Sequence, residues 1–254
     1  MPTVTTADTR RRFATALRTI ASRVEPTPEP LPAPEPEPAG APEEAPSARV
    51  LAETQRIGDD WRQQDYYEDV ERFMDSSWET SIAPFLEGSD FSVVVDLAAG
   101  HGRNTRKLLE VAGRVIVTDI NIGNIEICRR RFAGEPRVEC FVGDGLTLKE
   151  IPDASVTLVY CFDAMVHFDS DTVRSYLRDI HRVLVPGGRA FCHHSNYTAN
   201  PGGDVHDNPQ WRNFMSQELF AHYARNEGFE VVRSTVVDWG PDPELDCYTL
   251  IERP

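Results

Sequence analysis

At 254 residues with 40% hydrophobic content, the chain is long enough to bury a sizeable core as one large domain or two small ones. Its 41 acidic residues against 26 basic ones leave a formal net charge of -15, which opposes approach to a phosphate backbone and disfavours a nucleic-acid partner. No stretch approaches the roughly 18 apolar residues of a membrane span, and the start lacks an apolar signal-peptide core. Cys128, Cys140, Cys161, Cys192 and Cys247 are scattered singly and read as free thiols in a reducing compartment, so the expected location is the cytoplasm.

Asp8 to Val24 places Phe13, Leu17, Ile20 and Val24 at spacings of three and four among arginines, the pattern of a short amphipathic helix that could dock a partner protein. Glu25 to Pro46 alternates Pro with Glu and Ala, a composition expected to form an extended, disordered tether. The expected division is therefore 1–24 as an amphipathic segment, 25–48 as a Pro/Glu-rich linker and 49–254 as the globular domain. That domain opens with a helical stretch over Asp59 to Phe85, in which Trp61, Val70, Met74, Trp78 and Ile82 share a face, closed by Pro84 and the Glu87-Gly88-Ser89-Asp90 turn.

Short β-branched runs then alternate with helical patterns. The runs are Phe91 to Leu97, Arg114 to Asp119, Val138 to Val142, Ser155 to Cys161, Arg189 to His194, Phe229 to Val237 and Asp246 to Ile251. Helices are expected over Asn104 to Ala112, Ile122 to Phe132, Asp171 to Val185 and Ser216 to Asn226. Val173, Tyr176, Leu177, Ile180, Val183 and Leu184 make one apolar stripe, with Ser170 as its cap and Pro186-Gly187-Gly188 as its stop. This alternation predicts an α/β, doubly wound, mostly parallel sheet, with the last two strands pairing as an antiparallel edge hairpin.

The most informative stretch is VVVDLAAGHGRNT, Val93 to Thr105. A strand ends in Asp96 and passes through small residues and Gly100-His101-Gly102 into a helix, so a ligand can approach the backbone and meet the unpaired N–H groups of a helix start. The glycine spacing of a dinucleotide fingerprint is missed in either register. About twenty residues on, the second strand ends in Asp119, placed to accept ribose hydroxyls. Asp144 in Val142-Gly143-Asp144-Gly145 closes the third strand, where it could reach an adenine amino group or serve as an ordinary turn residue.

From about Asp90 to Glu252 the chain resembles the class I S-adenosylmethionine-dependent methyltransferases. Asp96, Gly100 and Gly102 match that family's acidic residue and alternating glycines, Asp119 its ribose-binding acid and Asp144 its adenine-side acid. SVTLVYCFDAMVHF (Ser155 to Phe168) resembles the segment around its fourth strand, and LRDIHRVLVPGGR (Leu177 to Arg189) the turn before its fifth. The departure is Ala98, where the family has its first glycine. The resemblance implies a seven-stranded Rossmann-like sheet of order 3-2-1-4-5-7-6 and S-adenosylmethionine as cofactor, with Ile120, Gly145 and Cys161 beside the strand ends as further pocket residues.

Methyl transfer is an in-line displacement that needs alignment above all, and a base only where the acceptor carries a proton. The candidates are Asp163 and His167 after the fourth strand and His193 and His194 at the end of the fifth; strand alternation turns the last two to opposite faces. The polar loop Ser195 to Met215, with His206 and Trp211, is a candidate substrate loop whose spacing matches no definite metal site. The place after the fourth strand reads Cys161-Phe162-Asp163-Ala164 and lacks the Pro-Pro-Tyr of many amino-group methyltransferases. The acceptor is therefore expected to be a small molecule, such as a hydroxyl of a sugar or other metabolite. A noncatalytic cofactor-fold partner protein and a nicotinamide-dependent oxidoreductase are the competing readings.

Overall fold

A computed structural model describes residues 48–254 apart from residue 63; the expectations for residues 1–47 lie outside the described residues. Seven strands form one sheet: β1 (Val93–Leu97), β2 (Arg114–Asp119), β3 (Val138–Val142), β4 (Val156–Cys161), β5 (Leu184–Ser195), β6 (Glu230–Trp239) and β7 (Asp242–Glu252). Their order is β3-β2-β1-β4-β5-β7-β6, as the resemblance implied. The first five are parallel, and β7 runs antiparallel to both β5 and β6.

Alternation along the central strands divides the core into two layers. Val95, Val159, Cys161 and Cys192 face one layer, against Val173, Tyr176, Leu177 and Ile180 of one helix and Phe220 of another. Val94, Leu158, Tyr160 and Phe191 face the other, against Met74, Trp78, Ile82, Leu108 and Ile125. Both faces of the sheet are covered, which is why the central strands read as nearly continuous apolar runs.

The helices are α1 (Ala48–Asp60), α2 (Gln64–Glu71), α3 (Met74–Ser77), α4 (Ala83–Phe85), α5 (Arg103–Leu108), α6 (Ile122–Arg131), α7 (Ser170–Val183) and α8 (Gln217–Asn226), with a π turn at Trp78–Ile82 between α3 and α4. The single helix expected over Asp59 to Phe85 is thus broken. Met74, Trp78 and Ile82 do share the buried face, but Trp61 leaves it for a cleft described below. On α7 the expected stripe is buried, while the cap is Asp169 in place of Ser170: its carboxylate accepts from the Asp171 N–H at 2.9 Å. Pro186-Gly187-Gly188 is not a loop but the start of β5, held by Gly187 N–H donating to Arg253 O at 2.7 Å and Arg253 N–H to Gly188 O at 2.9 Å. Among the described residues no helix is long and apolar enough to cross a membrane.

Candidate cofactor and acceptor site

Strand order reverses between β2-β1 and β4-β5, which leaves a crevice at the carboxyl ends of β1 and β4. A cleft lies there, with about 750 Å³ of empty space counted out into open solvent. Its floor is Leu97, Ala98, Thr118, Asp119, Ile120 and Gly145. Its roof comes from α1, α2 and the link between them, through Thr54, Ile57, Gly58, Trp61, Tyr66 and Tyr67.

The turn after β1 is left-handed three times, at Ala98 (φ 56), Gly100 (φ 55) and Gly102 (φ 80). A Cβ at Gly100 would meet the Tyr67 ring at 2.3 Å, and one at Gly102 the Phe132 ring at 2.6 Å. Ala98 therefore occupies the conformation a glycine adopts without cost, at an expense of about 1–2 kcal/mol. Ala98→Gly is expected to fold normally with an unchanged or slightly raised melting temperature, as read by differential scanning calorimetry.

Asp119 is buried at the rim of this turn. Its Oδ2 accepts from Gly100 N–H at 2.9 Å, and its Oδ1 from Asn121 N–H at 2.8 Å and Asn124 Nδ2 at 3.2 Å. A carboxylate has about four acceptor positions, so one stays available to a ligand hydroxyl. Burial raises its pKa, and those three donors pull against that rise. Asp96 lies deeper. Its Oδ2 accepts from Thr105 Oγ1 at 2.5 Å, Oδ1 has no hydrogen-bond partner among the described residues, and burial pushes its pKa up to about 7. Asp144 closes its own turn, accepting from Leu146 N–H (2.9 Å), Thr147 N–H (2.7 Å) and Thr147 Oγ1 (2.8 Å). It is not among the residues that line the cleft. Cys161 is fully buried at the end of β4.

Of the four candidate bases, two line the cleft and two do not. Asp163 does, at φ 58. Burial alone would raise its pKa, but the Arg103 guanidinium and the hydrogen bond from Tyr66 hold it below the ordinary value. Its Oδ2 accepts from Arg103 Nη2 (2.5 Å) and Tyr66 Oη (2.6 Å), and its Oδ1 is buried with no partner among the described residues. His167 also lines the cleft, with its ring 4.4 Å from that of Trp61. The Trp211 carbonyl lies 2.8 Å from its Nδ1, so Nδ1 carries the proton and Nε2 the lone pair.

His193 sits behind the cleft. Its Nδ1 accepts from Asp163 N–H at 3.0 Å and its Nε2 donates to Asp246 at 2.9 Å. His194 points to the other face, as alternation predicted, stacked on Phe220 with ring centroids 4.0 Å apart and bonded to Ser195 O and Thr249 Oγ1 at 2.9 Å each. The loop Ser195 to Met215 contributes Trp211, packed on Trp61 at 5.4 Å, and His206, held by Asp60 at 2.8 Å and Asp204 at 2.7 Å.

Burial lowers the pKa of His167 to about 4 and that of His194 to about 3. The unfolded chain takes up these protons near pH 6.5, whereas the folded chain refuses them until far lower pH, so their contribution declines as pH falls from about 6.5 towards 4. The melting temperature should drop less between pH 7 and pH 5 in His167→Gln than in the unaltered chain.

Sequence reasoning missed the roof and the groups behind Asp163. The aromatic cluster Trp61, Tyr66 and Tyr67 within the otherwise charged stretch DDWRQQDYYEDVER was the available signal. Arg103, Arg212 and Asp246 carried none, because their partners are distant along the chain.

The sheet order and the turn at its switch point define a nucleotide-type cofactor fold, and residues 94–188 match a family model described as a methyltransferase domain. That segment is thus similar to methyltransferase domains, and the strand order around it is the one the resemblance to class I S-adenosylmethionine-dependent methyltransferases implied. Among relatives, a demethylmenaquinone methyltransferase of Clavibacter sepedonicus is 36% identical over 38% of this chain and 38% of its own length. A 2-phytyl-1,4-naphtoquinone methyltransferase of Thermosynechococcus vestitus is 30% identical over 44% of this chain and 50% of its own. The match thus spans half or less of the length of these two relatives. Among solved structures, geranyl diphosphate C-methyltransferase from Streptomyces coelicolor A3(2), in complex with Mg2+, geranyl diphosphate and S-adenosyl-L-homocysteine, superposes with TM-score 0.62 at 15% identity, covering 80% of this chain and 98% of that one.

Proposed function

We propose that this chain transfers a methyl group from S-adenosylmethionine to a small aromatic acceptor of the quinol type. The observation that carries the cofactor half is Asp119, a buried carboxylate with one acceptor position to spare, set beside a left-handed turn at the switch point of the sheet. The residues fit the cofactor. Asp119 would hold the ribose, Ile120, Gly145 and the roof residues Thr54 and Ile57 would pack on the base, with Asp144 fixing the turn that carries Gly145. Ala98 would flank the amino-acid end, held by the turn through Gly100 and Gly102 and supported from below by Asp96, whereas Gly100, Gly102 and Cys161 do not themselves line the cleft.

S-adenosylmethionine supplies, when bound, an electrophilic methyl group on a positively charged sulfonium. The chain's own contribution is alignment and exclusion of water by the aromatic roof. Trp61, Tyr66, His167 and Phe168 offer ring faces and edges to a flat acceptor, and His167 Nε2 presents a lone pair towards which an acceptor hydroxyl can be oriented. The quinone-type relatives support this choice over a sugar hydroxyl, and the chain's negative charge weighs against an anionic polymer.

Calorimetric titration with S-adenosylhomocysteine and, separately, NADH tests the cofactor half. Micromolar binding of the former alone is expected; binding of NADH alone would replace the reading with the oxidoreductase. Incubation of S-adenosylmethionine with 1,4-naphthohydroquinone and a panel of sugars, followed by mass spectrometry for a methyl adduct, tests the acceptor class.

A further inference from the structure

Asp163 sits in a left-handed conformation (φ 58) that side chains rarely adopt, at an expense of about 1–3 kcal/mol that its surroundings must override. Those surroundings are a buried relay. Arg212 donates through Nε to Asp246 Oδ1 at 2.8 Å and through Nη2 to Oδ2 at 2.6 Å. Asp246 Oδ2 also accepts a hydrogen bond from His193 Nε2 at 2.9 Å, and His193 Nδ1 accepts one from the Asp163 N–H at 3.0 Å. His193 and Asp246 are fully buried, and Arg212 is 2% exposed. The side-chain nitrogens and oxygens of Arg212, Asp246 and His193 each have a partner, the condition under which a buried network holds one conformation.

On its other side the same residue meets the roof. The Asp163 carboxylate receives Tyr66 Oη of α2 and Arg103 of the helix that follows the glycine turn. Tyr66 packs on Trp61 with ring centroids 4.8 Å apart and on Tyr67 at 5.6 Å, and all three line the cleft. Asp163 is therefore one of the points where the roof is fastened to the rest of the domain, alongside Asn121, whose Nδ2 donates to Gly58 O at 2.6 Å, and Asn124, whose Nδ2 donates to Tyr67 Oη at 3.2 Å.

We infer that Tyr66 and Asp163 form a latch that keeps the roof closed over bound cofactor, and that His193, Asp246 and Arg212 are positioning residues acting on that latch through the Asp163 backbone. This rests on the cofactor reading above. His193 on this account touches neither cofactor nor acceptor: both ring nitrogens are committed, one to the backbone it holds and one to the carboxylate that orients it.

The test is the dissociation rate of S-adenosylhomocysteine from the full chain, followed by displacement in a stopped-flow instrument, for Tyr66→Phe, His193→Gln and the double variant. Each single change is expected to speed release by about tenfold, the worth of one charge-assisted hydrogen bond. The double variant should release no faster than either single one, because both break the same latch. A residue serving stability alone would lower the melting temperature and leave the release rate unchanged, or would add its effect to that of Tyr66→Phe; either result overturns the inference. Tyr66→Phe keeps the ring, so its rate decides the latch even if His193→Gln fails to fold, and an unchanged rate there overturns it. If the unaltered chain does not bind S-adenosylhomocysteine, the cofactor reading fails and the latch with it, whereas normal binding with insensitive variants defeats the latch alone.

Discussion

Asp119→Ala should weaken S-adenosylhomocysteine binding by about tenfold or more in calorimetric titration, since a hydrogen bond to a charged group contributes roughly 1.5–3 kcal/mol. The structure adds a second effect. Asp119 also satisfies the N–H groups of Gly100 and Asn121, so the alanine variant strands two buried donors and loosens the glycine turn. Asp119→Asn separates the two contributions: its amide oxygen can still accept from one of these donors, so it should retain more of the melting temperature than alanine while still binding poorly. Affinity unchanged in both variants would remove Asp119 from the cofactor site.

The largest loss of stability is expected from Arg212→Met. Arg212 makes both of its bonds to Asp246 out of water, and removing one partner of such a pair typically costs about 3–5 kcal/mol because the other is left uncompensated. For a domain of this size that corresponds to a fall in melting temperature of roughly 6–20 °C. Burial works to raise the Asp246 pKa, but His193 and Arg212 outweigh it and hold the value down to about 2. A depressed carboxylate contributes stability above its unfolded value near 4 and loses it as pH falls towards 2. Arg212→Met should therefore be less stable than the unaltered chain at pH 7, with the gap narrowing in acid. A gap that stays constant down to pH 2 would show that Arg212 acts through packing on Trp239, whose ring lies 4.9 Å below its guanidinium, and not through charge.

The sequence by itself determined the sheet, the two-layer core and the glycine turn, because these are local: alternation, β-branched runs, small residues and strand-end acids each lie within a few positions of one another. It also placed Asp119 and Asp163 at strand ends and turned His193 and His194 to opposite faces. Only the tertiary structure decided what those residues can touch. His193 and His194 both read as candidates for a base, with one of the two expected to face the acceptor, yet β7 lies against β5 and supplies Asp246 and Thr249, each occupying a ring nitrogen of one of them. The roof was equally invisible. Tyr66 is 97 residues from Asp163 and Thr54 is 118 from Thr172, and no periodicity in a helix records which distant strand end it will cover. The left-handed backbone at Ala98 and Asp163 is of the same kind: neither residue type demands it locally, and it is imposed by the contacts that close around the finished fold.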